Sequence, residues 1–216
     1  MHIFCDFDGT ISRECSTDAV LSALADPEWR RIEDRWQTGA IDAATCMRAQ
    51  IALIRGGTAD IDKVLAGVRL TRGFVAFAGW AAAEGLPLTI VSDGVDYFIQ
   101  GILAREGLKL PVVANRLMPA ASGGFALGQP HARPGCGSGV CKCAVLEAAA
   151  LSRPVVFVGD GRSDFCVSAR PDLLFAKSSL ARHAEANGTD FIPFTDFDDV
   201  RAALEAIRRP VVTLVA

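Results

Sequence analysis

The chain has no long apolar run, no excess of basic residues and no internal repeats or low-complexity linkers. No segment approaches the ~20 consecutive apolar residues of a membrane-spanning helix. The net charge of −3 offers no basic surface for a nucleic acid or an anionic membrane. The amino terminus lacks the basic, apolar and small-residue pattern of a secretion signal, so we expect cytoplasmic residence.

The length and the cysteine usage limit the class of protein further. A chain of 216 residues, half of them apolar, suits one α/β domain with an insertion and a sizeable core. Seven cysteines is an odd number, which speaks against a complete disulfide framework. Cys136, Cys141 and Cys143 could be free thiols, a disulfide pair, or a soft-metal site completed by His131 or Cys166.

Short apolar runs alternate with helical patterns over most of the chain. His2–Asp6 has the pattern of a central strand, and Pro154–Gly159 is a near-continuous apolar run, which is typical of parallel strands that are covered on both faces. The pattern predicts an α/β fold, a Rossmann-like doubly wound parallel sheet with a helical insertion after its first strand. We assign residues 1–14 and 86–216 to the core domain and residues 15–85 to the inserted helical domain. A helix is predicted over Lys142–Leu151.

Acidic and polar residues follow three of the predicted strands. Asp6 and Asp8 end the first strand, Ser92-Asp93-Gly94 end the next one, and Asp160 and Asp164 follow the run that ends at Gly159. Because ligands of doubly wound sheets bind at the carboxyl ends of strands, we expect these groups to meet at one edge. Clustered carboxylates repel one another unless a cation lies among them, and oxygen ligands suit Mg²⁺. The sequence therefore predicts a magnesium-assisted active site.

Four ordered motifs carry a family resemblance. Asp6-Phe-Asp-Gly-Thr10, Ser92, Lys142 and Gly159-Asp-Gly-Arg-Ser-Asp164 resemble the motifs of the haloacid dehalogenase superfamily of phosphatases. The resemblance implies that Asp6 is a nucleophile that forms an aspartyl-phosphate, and that Asp8 is the general acid and base. Side chains two apart in a strand share a face, so both carboxylates can address one phosphoryl group.

The same resemblance implies the remaining site residues. Mg²⁺ would be held by Asp6, the backbone carbonyl of Asp8, and Asp160, with Asp164 bound directly or through water. Ser92 would bind a phosphoryl oxygen, and Lys142 would bring positive charge to the phosphate and to the nucleophile. Backbone N–H groups would assist at four further residues: Gly9, Thr10, Asp93 and Gly94.

The insertion and the distal half suggest which substrate is used. The helical insertion over residues 15–85 resembles the first-position cap domain of this superfamily, which closes over the active edge and selects the substrate, and its length favours a small phosphorylated metabolite. Residues 46–53 resemble the cap segment of phosphoserine phosphatases, where Arg48 could hold a carboxylate. Residues 135–143, 175–180 and 191–197 resemble bacterial methionine-salvage phosphatases, which act on 2-hydroxy-3-keto-5-methylthiopentenyl-1-phosphate, and more distantly phosphocholine and phosphoethanolamine phosphatases.

Several alternatives stay open at this point. A phosphoserine phosphatase is the other enzyme in view. A protein that keeps the fold without turnover, or a thiol-based metal-binding module around Cys136–Cys143, represents a different class. A monomer and a homodimer are equally compatible with the sequence.

Overall fold

The computed structural model describes residues 1–121, 123–149 and 153–209. Within these residues the strands form one seven-stranded sheet in the order β4-β3-β2-β1-β5-β6-β7. Every pairing is parallel except that of β3 with β4, which is antiparallel. The predicted doubly wound α/β fold is confirmed. The strands are β1 His2–Cys5, β2 Leu88–Val95, β3 Val112–Pro119, β4 Phe125–Gly128, β5 Val155–Gly159, β6 Leu173–Ala176 and β7 Ile192–Pro193.

Helices connect and cover these strands. The helix predicted over Lys142–Leu151 begins at Lys142, and its predicted end at residue 151 lies outside the described residues, as do residues 210–216 of the predicted core domain. A short 3₁₀ helix spans Arg162–Val167. The α-helices are α1 Ser16–Leu24, α2 Trp29–Gln37, α3 Ala43–Ile51, α4 Thr58–Leu65, α5 Phe74–Ala83, α6 Asp96–Arg105, α7 Lys142–Ala148, α8 Ser178–Ala186 and α9 Phe197–Arg208.

The central strands are apolar on both faces because each face packs against helices. Ile3 and Cys5 of β1 join one hydrophobic cluster, whereas Phe4 joins a second cluster on the opposite face. Val156 and Phe157 of β5 divide between the same two clusters. Two-sided burial explains why these strands read as unbroken apolar runs instead of alternating patterns. In β1 and β5 the acidic residues therefore come only after the strand ends.

Five helices lie between β1 and β2, in the range predicted as a cap. Helix α1 contacts α4, and α2 contacts α3. Helix α5 instead packs against β2 and α9, with the Phe197 ring 4.8 Å from Phe74 and 5.2 Å from Phe77. The last helix of the insertion therefore belongs to the layer that covers the sheet. The division into a core domain and a cap domain stays a prediction.

Candidate active site

The end of β1 delivers two carboxylates to the edge of the sheet. The Asp6 amide donates to the Val158 carbonyl at 2.9 Å, so β5 holds the backbone just before the chain turns away. Asp6 is 4% exposed, and Asp8 is half-buried. Burial raises the pKa of Asp6 well above its usual range, and the neighbouring Asp164 and Asp160 add to this effect while Lys142 opposes it.

Lys142 is the cation of this site. Its Nζ lies 2.7 Å from Asp6 Oδ1, 2.5 Å from Asp164 Oδ1 and 3.3 Å from Ser163 Oγ, and its side chain is 1% exposed. Burial alone would lower the pKa of Lys142, but the carboxylates of Asp164 and Asp6 outweigh it and raise this pKa. An ammonium held in this way stays charged and directs the Asp6 carboxylate.

The loop after β5 contributes the other two acids. Asp160 Oδ1 accepts from Thr10 Oγ1 at 2.7 Å. Asp164 Oδ2 accepts from the amides of Asp160 and Gly161 at 3.1 and 3.2 Å, which ties the loop into one turn. Asp6, Asp160 and Asp164 each present an oxygen within 4.8 Å of the others. Three carboxylates with one ammonium leave excess negative charge, and this hard-oxygen donor set fits a dication such as Mg²⁺.

Asp8 is held in place by the start of α1. Its Oδ1 accepts from the Ser16 amide at 2.6 Å, and the Ser12 hydroxyl lies 3.5 Å away. Burial raises the pKa of Asp8, while the hydrogen bond from Ser16 opposes this shift. A carboxyl group with a raised pKa retains its proton more readily, which suits a general acid.

Two glycines allow the carboxylates to approach the backbone closely. A Cβ added at Gly94 would lie 2.7 Å from Asp8 Oδ2 and 3.1 Å from Ser92 Oγ. A Cβ at Gly9 would lie 2.5 Å from Asp160 Oδ2, and Gly9 has a φ of +82° that disfavours other residues. The Gly94 amide donates to Ser92 Oγ at 3.0 Å. The ends of β1 and β2 thus meet, as the sequence predicted.

Thr10, Asp93 and Arg48 were also predicted to bind the substrate, and their side chains make contacts with other segments of the chain. The Thr10 amide donates to the Phe7 carbonyl at 3.2 Å, so Thr10 supports the turn as well as Asp160. Asp93 Oδ1 accepts from the Val140 amide at 2.9 Å, which joins β2 to the segment before α7. Arg48 donates to Gln129 and Thr45 and is not among the residues that line the cavity. Its position on α3 turns the guanidinium toward the segment after β4.

A cavity of about 470 Å³ lies between this edge of the sheet and the insertion. Asp6, Asp8 and Ser92 line it from the sheet. Sequence reasoning missed the residues that line it from the helices and loops: Cys15, Asp18, Glu33, Trp36, Met47, Gln50 and Arg162. No local signal marks them, because a polar or aromatic residue on an amphipathic helix is equally typical of a solvent-exposed face.

The cysteines do not form a metal centre. All seven are free thiols. Among the residues that the structure describes, the one group of acids, histidines and cysteines close enough to hold a metal is Asp6, Asp160 and Asp164. His131 contributes its carbonyl to the Cys141 amide at 3.0 Å, and His183 stacks on Phe165 at 4.0 Å. The thiol-based metal-binding alternative therefore has no support in the structure.

With this geometry established, comparison with known proteins identifies the family. The family model described as haloacid dehalogenase-like hydrolase matches residues 3–168. This chain belongs to that family. The match spans all four motifs, and the resemblance inferred from them is confirmed. In the part of the chain that the structure describes, no helix is long and apolar enough to cross a membrane.

Several known proteins are similar to this chain over nearly its full length. The 2-hydroxy-3-keto-5-methylthiopentenyl-1-phosphate phosphatase of Geobacillus thermodenitrificans (strain NG80-2) is 31% identical, covering 92% of each chain. The phosphatase of the same name from Geobacillus kaustophilus (strain HTA426) is 32% identical, covering 94% of each chain. A phosphoserine phosphatase solved as a phospho-aspartyl intermediate analogue superposes with a TM-score of 0.68 at 21% identity, covering 94% of this chain and 97% of the other. This last likeness establishes the fold.

Proposed function

We propose that this family member is a Mg²⁺-dependent phosphomonoesterase that acts on a small phosphorylated metabolite. The observation that carries the proposal is that Asp6 and Asp8 line one cavity while the buried ammonium of Lys142 bonds the Asp6 carboxylate. A binding protein has no need of a nucleophile, a proton donor and a buried cation in this arrangement. The non-enzymatic alternative is therefore disfavoured.

The residues divide the reaction into two displacements. A carboxylate oxygen of Asp6 attacks phosphorus, the ester P–O bond breaks, and Asp8 gives its proton to the departing alkoxide. Water then attacks the aspartyl-phosphate, Asp8 takes the proton from that water, and the bond between phosphorus and Asp6 breaks. Lys142, bonded to Asp6, would orient this carboxylate throughout, and Ser92, which lines the cavity, would bind a phosphoryl oxygen. The amides near Gly94 would assist Ser92.

Asp6, Asp160 and the backbone carbonyl of Asp8 would hold Mg²⁺ directly, and Asp164 would bind it through a water molecule. When bound, the ion would supply positive charge that lets an anionic nucleophile approach an anionic phosphate. Asp164 already receives Lys142 on one oxygen and two amides on the other. We therefore assign Asp164 to a water-mediated role.

For the substrate we propose 2-hydroxy-3-keto-5-methylthiopentenyl-1-phosphate, the compound named for the two Geobacillus relatives. The cavity supports this choice over phosphoserine. Arg48 does not line it, and among the described lining residues the cation is Arg162, which is engaged with α2. A substrate carboxylate would instead face Asp18 and Glu33. Cytoplasmic residence fits a small-metabolite enzyme and stays our prediction.

One observation favours a second candidate class, the phosphate esters of amino alcohols. Asp18 and Glu33 line the insertion side of the cavity, and their mutual repulsion adds to burial in raising the pKa of Asp18. Neither acid has a salt bridge within the described residues. A cationic ammonium group would be attracted to them. Phosphoethanolamine and phosphocholine are therefore the esters to compare.

A substrate screen with one variant tests the proposal. With Mg²⁺ present, we expect the enol phosphate to give the highest kcat/KM, ahead of phosphoethanolamine, phosphocholine and phosphoserine. Asp6→Asn should lower phosphate release from p-nitrophenyl phosphate at least about 10⁴-fold because it removes the nucleophile. Its Tm should stay close to that of the wild type, because an amide still accepts a hydrogen bond from Lys142. Full turnover in this variant would refute the mechanism.

A further inference from the structure

Arg162 connects the loop after β5 to the insertion. Its guanidinium lies 5.1 Å from the ring centroid of Trp36, a distance typical of cation–π contacts. Its Nη1 donates to the carbonyl of Gln37, the last residue of α2, at 3.5 Å. The carboxyl end of a helix has exposed carbonyls and a negative partial charge, so a cation is favoured there. Arg162 and Trp36 both line the cavity.

The two ends of this contact differ in how firmly they are held. Arg162 begins the 3₁₀ turn that Asp164 closes onto the amides of Asp160 and Gly161, and Asp164 also bonds Lys142. The base of Arg162 is therefore tied to the catalytic centre. Trp36 lies on α2, whose other contacts within the described residues are mainly with α3.

Helix α3 is attached to the rest of the molecule in a different way. The Ala44 amide donates to the Gly137 carbonyl at 2.9 Å, and Gln129 Nε2 donates to the Ala44 carbonyl at 3.0 Å. Hydrogen bonds to the Ala44 backbone thus hold the α3 side of the cavity to the segments after β4. The α2 side instead meets the catalytic loop through the side chain of Arg162.

We propose that Arg162 is a positioning residue that holds Trp36 and α2 against the part of the substrate beyond the phosphate. The proposal rests on the proposed phosphatase function and adds a specificity element to it. Arg162 does not touch the reacting atoms; it sets where the α2 wall of the cavity lies. Large leaving groups reach this wall and small ones do not.

The test compares two esters that differ in size. For p-nitrophenyl phosphate, Arg162→Ala should raise KM about tenfold and change kcat less than about threefold. The reason is that the lost contact binds the substrate and the transition state equally well. For methyl phosphate, which has a small leaving group, both constants should stay within about twofold. Arg162→Lys keeps the charge but not the planar stacking surface, so its KM should lie between those of the wild type and Arg162→Ala. Trp36→Ala should raise the KM for p-nitrophenyl phosphate as Arg162→Ala does. The KM of the double variant should be no higher than that of the single variant with the larger effect.

Helix α2 itself offers a matched control. Arg30 lies 4.8 Å from the Trp29 ring centroid, and neither residue lines the cavity. Arg30→Ala removes a similar contact and should change no kinetic constant. Additive effects of Arg162→Ala and Trp36→Ala, or equal losses on both esters, would overturn the proposal while leaving the phosphatase function intact. A wild-type protein inactive on both esters would overturn the function and the proposal together.

Discussion

Replacing Lys142 with methionine should destabilise the protein as well as inactivate it. The ammonium lies between Asp6 and Asp164 with almost no exposure, and the change leaves two buried carboxylates without their cation. Methionine has a similar length, so the loss is mainly electrostatic. The carboxylates of Asp164 and Asp6 raise the pKa of Lys142 although burial lowers it, so the charged ammonium is the favoured form of this side chain. The stabilisation that the ion pairs of Lys142 give is fully present below the pKa of a lysine in the unfolded chain, about 10.4. The experiment can therefore be done in neutral buffer.

The expected size follows from studies of buried ion pairs. Removing one partner of such a pair costs about 3–5 kcal/mol because the other charge is left uncompensated. A chain of this size loses about 2–4 °C of Tm for each kcal/mol, so Lys142→Met should lower Tm by about 6–20 °C. Removing one acid as well, in Lys142→Met/Asp164→Asn, should restore part of the Tm. It should not restore activity, because Asp6 stays without its cation.

Thermal unfolding in EDTA checks this prediction, since a dication could otherwise replace the lost charge. Lys63→Met is the matched control. Lys63 pairs with Asp60 at 3.2 Å on the surface, and its side chain is 76% exposed. Exposed pairs contribute little, so the Tm should change by less than about 2 °C. A Tm of Lys142→Met equal to that of the wild type would refute the reasoning.

Two further predictions concern the backbone and the metal. Gly94→Ala should lower kcat at least about tenfold because its Cβ would displace Asp8, whereas Gly79→Ala, with no atom within 4 Å, should not alter kcat. Steady-state kinetics on p-nitrophenyl phosphate would decide this, and an unchanged kcat in Gly94→Ala would contradict it. EDTA should abolish turnover and Mg²⁺ should restore it, equally in wild type and in Cys143→Ser. Loss of Mg²⁺ rescue in Cys143→Ser would instead implicate the thiols.

The sequence alone was sufficient for the central strands β1 and β5 and for the acids that follow them, Asp6 and Asp160. Each depends on a local pattern, an apolar run and a polar residue where the run stops. The spacing of two did not place Asp6 and Asp8 on one face of a strand, because β1 ends at Cys5 and both carboxylates reach the cavity from the turn after it. The rule that parallel strands share a carboxyl edge then brings the motifs together. The family match and the sheet order confirm the fold that these patterns predict.

Only the tertiary structure decided what surrounds this edge. The contact of Arg162 with Trp36 joins segments 126 residues apart, and that of Lys142 with Asp6 joins segments 136 apart. Helical periodicity tells which face of α2 or α3 is apolar but not which neighbour it meets, so Arg48 was predicted near the substrate and lies beside Gln129. Such long-range packing depends on how whole helices fit together, and no local residue pattern encodes it.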